Sequence, residues 1–419
     1  MNKRGCRNIL LAIFLVALIL RVSYVLFFPQ AEIRGDAHDY DVIGLNIATG
    51  HGFSYTPDIP TSKRAPLYPF FLSIIYFLFG HTHFVVRITQ AILGSLTCII
   101  LYYVAKEVFD ERIAKISSLL LAIYPILIVY CGLLLTETLF TFLLATSILL
   151  LIKGIVTTKT KYFIGSSIFL GFGTLTRPVT LLFPFVILTS LVIAKRKLIL
   201  NWIAFFLIFL ITLLPWIFRN YYLFGMYNIC SIGTGFGLFI TGHMAKGYTF
   251  EESFQKYIEL AKKFPEPEIF ILKKYPDVER ERIAQLEGIR LIKENLKNYF
   301  IIVMKRLPRF WWTSHSSIFG VDKSIVKYLE EKDYLHLSVR LGLLCLQGIF
   351  LLLASIGIVL SLKSRKKNAL ILILTLIYFT GHIAFDPCPR YHLPAMPYIF
   401  VFVSVAVNDI FERIWKTRV

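Results

Sequence analysis

The sequence predicts an all-α integral membrane protein of about ten to twelve transmembrane helices, with interfacial helices in a first outer loop and a helical outer segment. Three observations predict it: an apolar bias, a series of runs near bilayer length, and Lys/Arg clusters that alternate with those runs. Of 419 residues, 56% are apolar and 17% charged, with a mean hydropathy of +0.67. A soluble core of this size needs a polar surface, whereas helices facing lipid are apolar all round.

Runs that suit a span lie near Ile9 to Phe28, Phe84 to Ala105, Ile116 to Leu135, Thr138 to Ile152 and Tyr162 to Thr176. They continue at Val179 to Ala194, Leu198 to Phe218, Leu341 to Leu362, Ala369 to Phe385 and His392 to Val407. The first follows a basic start, but "RVSYVLFFPQAE" offers no small-residue cleavage site, so an uncleaved anchor is expected. Residues 1–218 then form a transmembrane core with its first outer loop at 29–83. Residues 219–340 form an outer-face segment, and 341–419 the C-terminal transmembrane helices.

The basic clusters are Lys3/Arg4/Arg7, Lys106/Arg112/Lys115, Lys153/Lys159/Lys161, Lys195/Arg196/Lys197, Lys363/Arg365/Lys366/Lys367 and Arg413/Lys416/Arg418. Alternating the ten spans puts every cluster on one side, the cytoplasm by the positive-inside rule, together with both termini. The net charge of +19 is thereby topological, and nucleic acid drops out as a partner. The partners expected on these grounds are membrane lipids. The six cysteines form no C-x-x-C pair, so neither a zinc cage nor a disulfide framework is indicated.

The polar residues of interest fall on the opposite face of the plasma or inner membrane. In the first outer loop, "APLYPFFLSIIYFLFG" is apolar, shorter than a span and bounded by Pro and Gly, as an interfacial helix is. "DYDVIGLNIA" suits a short amphipathic helix opened by Asp39 as its cap, with Val42, Leu45 and Ile47 on one side. The outer segment carries amphipathic stretches such as "EESFQKYIELAKKF" and "DVERERIAQLEGIRLIKENL", followed by Trp311 and Trp312 at headgroup level.

Acids beside hydrocarbon are disfavoured unless water, a metal or a cation receives them. Asp36 and Asp39 are three apart, so a helix puts both carboxylates on one side with Tyr40 beside them, able to hold a divalent cation or to act as a base. Glu137 in "GLLLTETLFTFLL" reaches the same face. So do Arg64 in "SKRAPLYP", Arg177 in "TLTRP", Arg219 in "LLPWIFRN" and Arg390 in "DPCPRYHLP", next to Tyr391. The planar fork of arginine matches phosphate oxygens, so the group points to a phosphorylated, lipid-borne ligand. Each arginine singly could equally anchor headgroups. His243 and His392 are further metal-ligand candidates. Asp36, Asp39 and His243 make up the set considered for a divalent cation, and no other cofactor is indicated.

The ordered set of an acidic first loop, "RAPLYP", "TET", "LTRP", "PWIFRN" and "RYHLPAMP" resembles the polytopic glycosyltransferases of the dolichyl-phosphate-mannose protein mannosyltransferase superfamily. The likeness is to glycosyltransferase family 39 and particularly to the bacterial relatives in this superfamily that include the lipid A aminoarabinose transferases. The resemblance implies the C-type glycosyltransferase fold and transfer of a sugar from a polyprenyl-phosphate donor to a glycan, lipid or protein acceptor at the outer face. It implies that Asp36 is the acid that activates the acceptor, Glu137 the second acid, Arg64 a donor-phosphate contact, and Arg177, Arg219 and Arg390 basic positions lining the cavity. Tyr40 and Tyr391 stand beside these as substrate-binding candidates. The family's frequent Asp-Glu pair is Asp36-Ala37 here, so a metal would need Asp39 in place of the missing acid. The alternative is a multispan transporter or flippase of a lipid-linked or anionic substrate, which predicts paired inverted repeats with helices broken near the midplane.

Overall fold

A break in the fourth apolar helix shows how this chain handles polar groups in a hydrophobic bundle. The run expected to cross as Ile116 to Leu135 folds instead as two helices, Glu111–Ile123 and Pro125–Tyr130, parted at Pro125. Proline has no N–H for the carbonyl of Leu121. Arg21, wholly buried in the first helix, fills the gap: its guanidinium donates to the carbonyls of Leu121 (3.3 Å), Ala122 (3.0 Å) and Ala17 (3.1 Å).

The computed structural model describes residues 3–28, 32–194, 198–230, 234–264, 276–313, 315–364, 366, 368–384 and 388–416. Helices in chain order are α1 (Lys3–Phe27), α2 (Asp36–Ala48), α3 (Leu67–Phe79), α4 (His83–Val108), α5 (Glu111–Ile123) and α6 (Pro125–Tyr130). They continue as α7 (Glu137–Thr157), α8 (Thr160–Thr176), α9 (Phe183–Ala194), α10 (Ile199–Phe224), α11 (Thr234–Lys246) and α12 (Phe250–Lys262). The last are α13 (Pro276–Glu294), α14 (Leu296–Trp311), α15 (Ile325–Glu330), α16 (Tyr334–Lys363), α17 (Ala369–Thr380) and α18 (Met396–Lys416). Among the described residues there is no strand, only an isolated bridge between Ser54 and Pro60. Of the expected basic clusters, Lys195, Arg196, Lys197, Arg365, Lys367 and Arg418 lie outside the described residues.

Among the described residues, six helices are long and apolar enough to cross a membrane: Arg7–Phe27, His83–Val108, Glu137–Thr157, Ile199–Phe224, Tyr334–Lys363 and Pro389–Ile414. The other expected spans coincide with shorter helices, α8, α9 and α17, and with the broken α5/α6. The protein is a multi-pass membrane protein whose core joins α1, α4–α10 and α16–α18 in one apolar cluster. Its outward side chains are as apolar as its inward ones, Leu200, Ile211 and Leu352 among them, which is what a lipid-facing surface requires. The closest approach is between α16 and α18, where a Cβ on Gly357 would overlap the carbonyl of Phe402.

The two expected helices of the first loop are α2 and α3. However, α2 opens at Asp36, so Asp39 is a first-turn residue and not the cap. Its buried side is Asp39, Tyr40, Asp41, Ile43, Gly44 and Asn46, a polar stripe in place of the expected Val42/Leu45/Ile47 stripe. Polar contacts, described below, have overridden the apolar periodicity. Helices α11 and α13 pack so tightly that Gly288 lies against the backbone of Leu238, with a small core of Phe239, Ile240 and Ala284.

Replacing Arg21 by Met should leave the Leu121 and Ala122 carbonyls without a donor and cost about 2–4 kcal/mol. Thermal unfolding in detergent measures this, and an unchanged midpoint would show that the broken helix does not depend on Arg21.

Candidate active site

Gly35 has φ of +56°, which turns the chain sharply into α2 and sets Asp36 at the head of the helix. Asp36 and Asp39 both sit in the first turn, where the positive end of the helix dipole favours them. The three-residue spacing lets one guanidinium serve both. Arg64 Nη2 lies 2.5 Å from Asp36 Oδ1 and 2.6 Å from Asp39 Oδ2, and Arg64 Nε is 3.0 Å from the same Asp39 oxygen. Lys63 Nζ takes the other oxygen, Asp39 Oδ1, at 3.0 Å. The ring of Tyr40 lies below the Arg64 guanidinium, 5.4 Å from centroid to cation.

Glu137 is the first residue of α7 and only 1% exposed. Its partner Arg177 ends α8 in an extended conformation, as a residue before proline prefers, and donates to Glu137 Oε1 at 2.9 Å. Arg390, in the 3-10 turn Pro389–Ala395 that leads into α18, joins the two halves. Its Nη2 pairs with Asp36 Oδ2, while its Nε is 3.7 Å from Glu137 Oε1. The buried Glu137 Oε2 has no hydrogen-bond partner. Tyr391 lies against Arg177, 4.7 Å from ring centroid to cation.

Charge and burial set the protonation of this cluster. Burial pushes the Asp36 carboxyl up, but Arg64 and Arg390 together hold it below its ordinary value, so it is ionised at neutral pH. Burial raises the Tyr40 hydroxyl to about 12, keeping it neutral. Four cations, Lys63, Arg64, Arg177 and Arg390, face three carboxylates, Asp36, Asp39 and Glu137, so one positive charge is in excess. The cluster opens into a cleft of about 190 Å³ with Asp36, Arg34, Arg87, Arg390 and Glu32 as its polar lining and Ile33, Ala37 and Leu133–Leu135 as its apolar wall. Arg87 Nε is held by the carbonyl of Gly132 at 3.0 Å.

Of the residues expected from the sequence, Asp36, Asp39, Glu137, Arg64, Arg177, Arg390, Tyr40 and Tyr391 are brought together. Arg219 is not among them: it donates to the backbone carbonyls of Thr61 (3.0 Å) and Phe53 (3.3 Å) and lies 4.4 Å over Trp216. It braces the loop that presents Lys63 and Arg64. His243 Nδ1 meets the carbonyl of Phe239 within its own helix at 3.0 Å, and no described contact links it to Asp36 or Asp39. With both aspartates already engaged by Arg64, Lys63 and Arg390, this donor set does not suit a divalent cation. His392 Nδ1 donates to the carbonyl of Phe310 at 2.6 Å, and its Nε2 faces His315 Nε2 at 3.4 Å; burial lowers the His315 imidazole to about 4.

Sequence reasoning missed Arg87 and Arg34, the cations of the cleft. Arg87 was concealed within an apolar span, although an arginine four residues into such a run is itself a signal. It also missed that Asp41 has its own partners, Tyr76, His81 and His83, on the far side of α2.

The sequence profile of the family described as dolichyl-phosphate-mannose-protein mannosyltransferase matches residues 63–218, which include Arg64, Glu137 and Arg177. No curated protein matches the chain. Among solved structures, the archaeal oligosaccharyltransferase AglB from Archaeoglobus fulgidus, in complex with an inhibitory peptide and a dolichol-phosphate, is similar over 98% of this chain and 51% of its own, with a TM-score of 0.57 and 16% identity. The Archaeoglobus fulgidus oligosaccharyltransferase tethered with an acceptor peptide containing the NVT sequon gives 0.52 and 13%, over 98% of this chain and 50% of its own. ArnT from Cupriavidus metallidurans bound to undecaprenyl phosphate aligns at 0.46 and 13%, over 97% and 77%. This chain spans about half the length of the oligosaccharyltransferases it matches. The likeness to the two oligosaccharyltransferase structures establishes the fold, which is that of the C-type membrane glycosyltransferases.

Glu137→Gln removes the carboxylate that faces two guanidinium groups, and breaking a buried pair in this way should cost about 3–5 kcal/mol. Chemical unfolding in detergent would measure it. A loss below about 1 kcal/mol would mean that Arg177 and Arg390 find other partners.

Proposed function

We propose that this protein transfers a sugar from a polyprenyl-phosphate donor to a glycan, lipid or protein acceptor at the outer face of the cell membrane, with both termini in the cytoplasm. The observation that carries the reading is the Arg390 bridge: a guanidinium from the C-terminal third joins Asp36 of the first outer loop to Glu137 at the head of α7, beside a cleft that holds two more arginines. The dolichol-phosphate bound to the archaeal oligosaccharyltransferase supports a polyprenyl-phosphate carrier, and the acceptor peptide tethered to the Archaeoglobus fulgidus oligosaccharyltransferase supports a protein as one type of acceptor. The family profile over 63–218 supports the reaction class.

In this reading the donor phosphate enters the cleft, where Arg87, Arg34 and Arg390 meet its oxygens and the leucine wall receives the first isoprene units. The acceptor O–H or N–H gives its proton to Asp36 as the oxygen or nitrogen bonds to the anomeric carbon from the opposite side. The bond from that carbon to the phosphate oxygen breaks, its electron pair leaves with the polyprenyl phosphate, and the configuration inverts. A phosphate is a good leaving group, so cations aimed at its growing charge suffice and no strong general acid is needed. Glu137 positions Arg177 and Arg390 from below.

Asp36→Asn should lower transfer by about 10²–10⁴-fold when measured per folded protein. Release of lipid phosphate from defined polyprenyl-phosphate sugars is the assay, and full turnover by the variant would reject the base. Because two arginines hold the Asp36 carboxyl down, Arg64→Met should move the acid limb of the kcat/KM profile to higher pH; a limb that stays put or moves down would remove Asp36 from the titration. Arg87→Ala should raise the KM for donor several-fold and leave that for acceptor alone, whereas equal effects on both would undo the phosphate assignment.

A further inference from the structure

Five residues beyond Asp36, and about 140° around the helix from it, Asp41 faces away from the charged cluster. Its Oδ1 lies 3.0 Å from His81 Nε2 and 3.0 Å from His83 Nε2, and the two imidazole nitrogens are 3.2 Å apart. The hydroxyl of Tyr76, on α3, donates to the same oxygen at 2.5 Å. Four elements meet here: α2, α3, the turn after it with Gly80 at φ of +76°, and the first residue of α4.

Hydrogen bonding alone does not account for this convergence. If both imidazoles carry a proton on Nε2, the two N–H groups crowd side by side toward one oxygen that Tyr76 already occupies. If one does not, it accepts from its neighbour's N–H at 3.2 Å, but its lone pair still stands 3.0 Å from the carboxylate oxygen. If both are doubly protonated, two positive rings stand in contact, their centroids 4.8 Å apart. A cation at the centre removes all three conflicts. Tetrahedral ligands held about 2.0–2.1 Å from zinc are about 3.3 Å from one another, close to the triangle seen here.

We propose that Asp41, His81 and His83 form a binding site for a first-row divalent cation, zinc in the first instance, that staples α2 to the start of α4. These three atoms lie within 4.8 Å of one another and supply one carboxylate oxygen and two imidazole nitrogens, a set that suits zinc far better than magnesium or calcium. Tyr76 is the outer partner that fixes the carboxylate, as metal-bound ligands generally require. His81 and His83 are 37% and 28% exposed, so the ion can enter from solvent and water can take the fourth place. The staple joins the helix that carries Asp36 and Asp39 to the helix that carries Arg87, without touching either charged group. It is independent of the reaction proposed above.

The test uses the full chain in detergent, stripped with a chelator and then titrated with Zn²⁺ alone, with elemental analysis and thermal unfolding as readouts. Expected are one zinc per chain and a midpoint that rises with zinc concentration. His81→Ala/His83→Ala should lose both the zinc and the rise, while His51→Ala, at an exposed histidine paired with Asp58, should keep both. Co²⁺ in place of zinc should give visible ligand-field bands in the wild type that are absent in Asp41→Asn, a comparison that stands in if the double variant does not fold. A wild type that binds no more zinc than the double variant, or whose midpoint ignores zinc, or that gives no Co²⁺ bands, would overturn the proposal.

Discussion

Placing Asp36, Asp39 and Glu137 beside a hydrocarbon core costs several kcal/mol of lost hydration for each buried ion, and guanidinium groups offset it. Arg64 spans the two aspartates of α2, Arg177 meets Glu137, and Arg390 reaches from Asp36 toward Glu137. The chain positions of these groups are far apart, so the pairing can form only when α2, α7, the end of α8 and the turn before α18 assemble in one register. The ion cluster is thereby a condition on the fold. Glu137 has to start its helix, Arg177 has to end one, and Asp36 has to follow a residue that accepts a left-handed conformation.

Around this cluster the first loop is held by backbone contacts that leave little freedom. Asn46 donates to the carbonyls of Ser54 (3.0 Å) and Tyr55 (3.1 Å), and Arg219 takes those of Phe53 and Thr61 from the far side. The ring of Phe53 rests on Trp216, 4.7 Å between centroids, so the loop is packed as well as bonded to α10. Lys63 and Arg64 thus project from a braced segment and not from a mobile one. Preorganised cations of this kind need no rearrangement when negative charge develops next to them.

The helical architecture and the shared location of Asp36, Arg64, Glu137, Arg177 and Arg390 were legible because hydropathy and charge alternation are local signals read over twenty residues. The Pro125 break was visible as a residue, but its repair by Arg21 depends on a contact across a hundred positions that no window contains. The resemblance assigned Arg219 to the cavity; its choice of backbone carbonyls is a property of the folded loop. The partners of Asp41, His81 and His83, are forty residues away, so no local window shows them, and the polar stripe of α2 follows from these contacts. Arg87 shows a different failure, since the signal was present and the apolar run around it hid it.

The arginines that make the cluster possible also weaken Asp36 as a base, because each cation that lowers a carboxyl pKa lowers its appetite for a proton. In the proposed reaction this conflict has a resolution in the charge count. With no phosphate present, Arg390 is shared between Asp36 and Glu137; an arriving phosphate competes for that guanidinium and brings its own negative charge near Asp36. Both changes raise the affinity of Asp36 for a proton when the donor is in place, so basicity would rise only in the complex that can use it. With Arg34, Arg87 and Glu32 of the cleft counted beside the cluster, cations outnumber carboxylates by two, and the charge of the arriving phosphate offsets part of that excess. The same side chains that make the empty fold tolerable would thereby couple donor binding to activation of the acceptor.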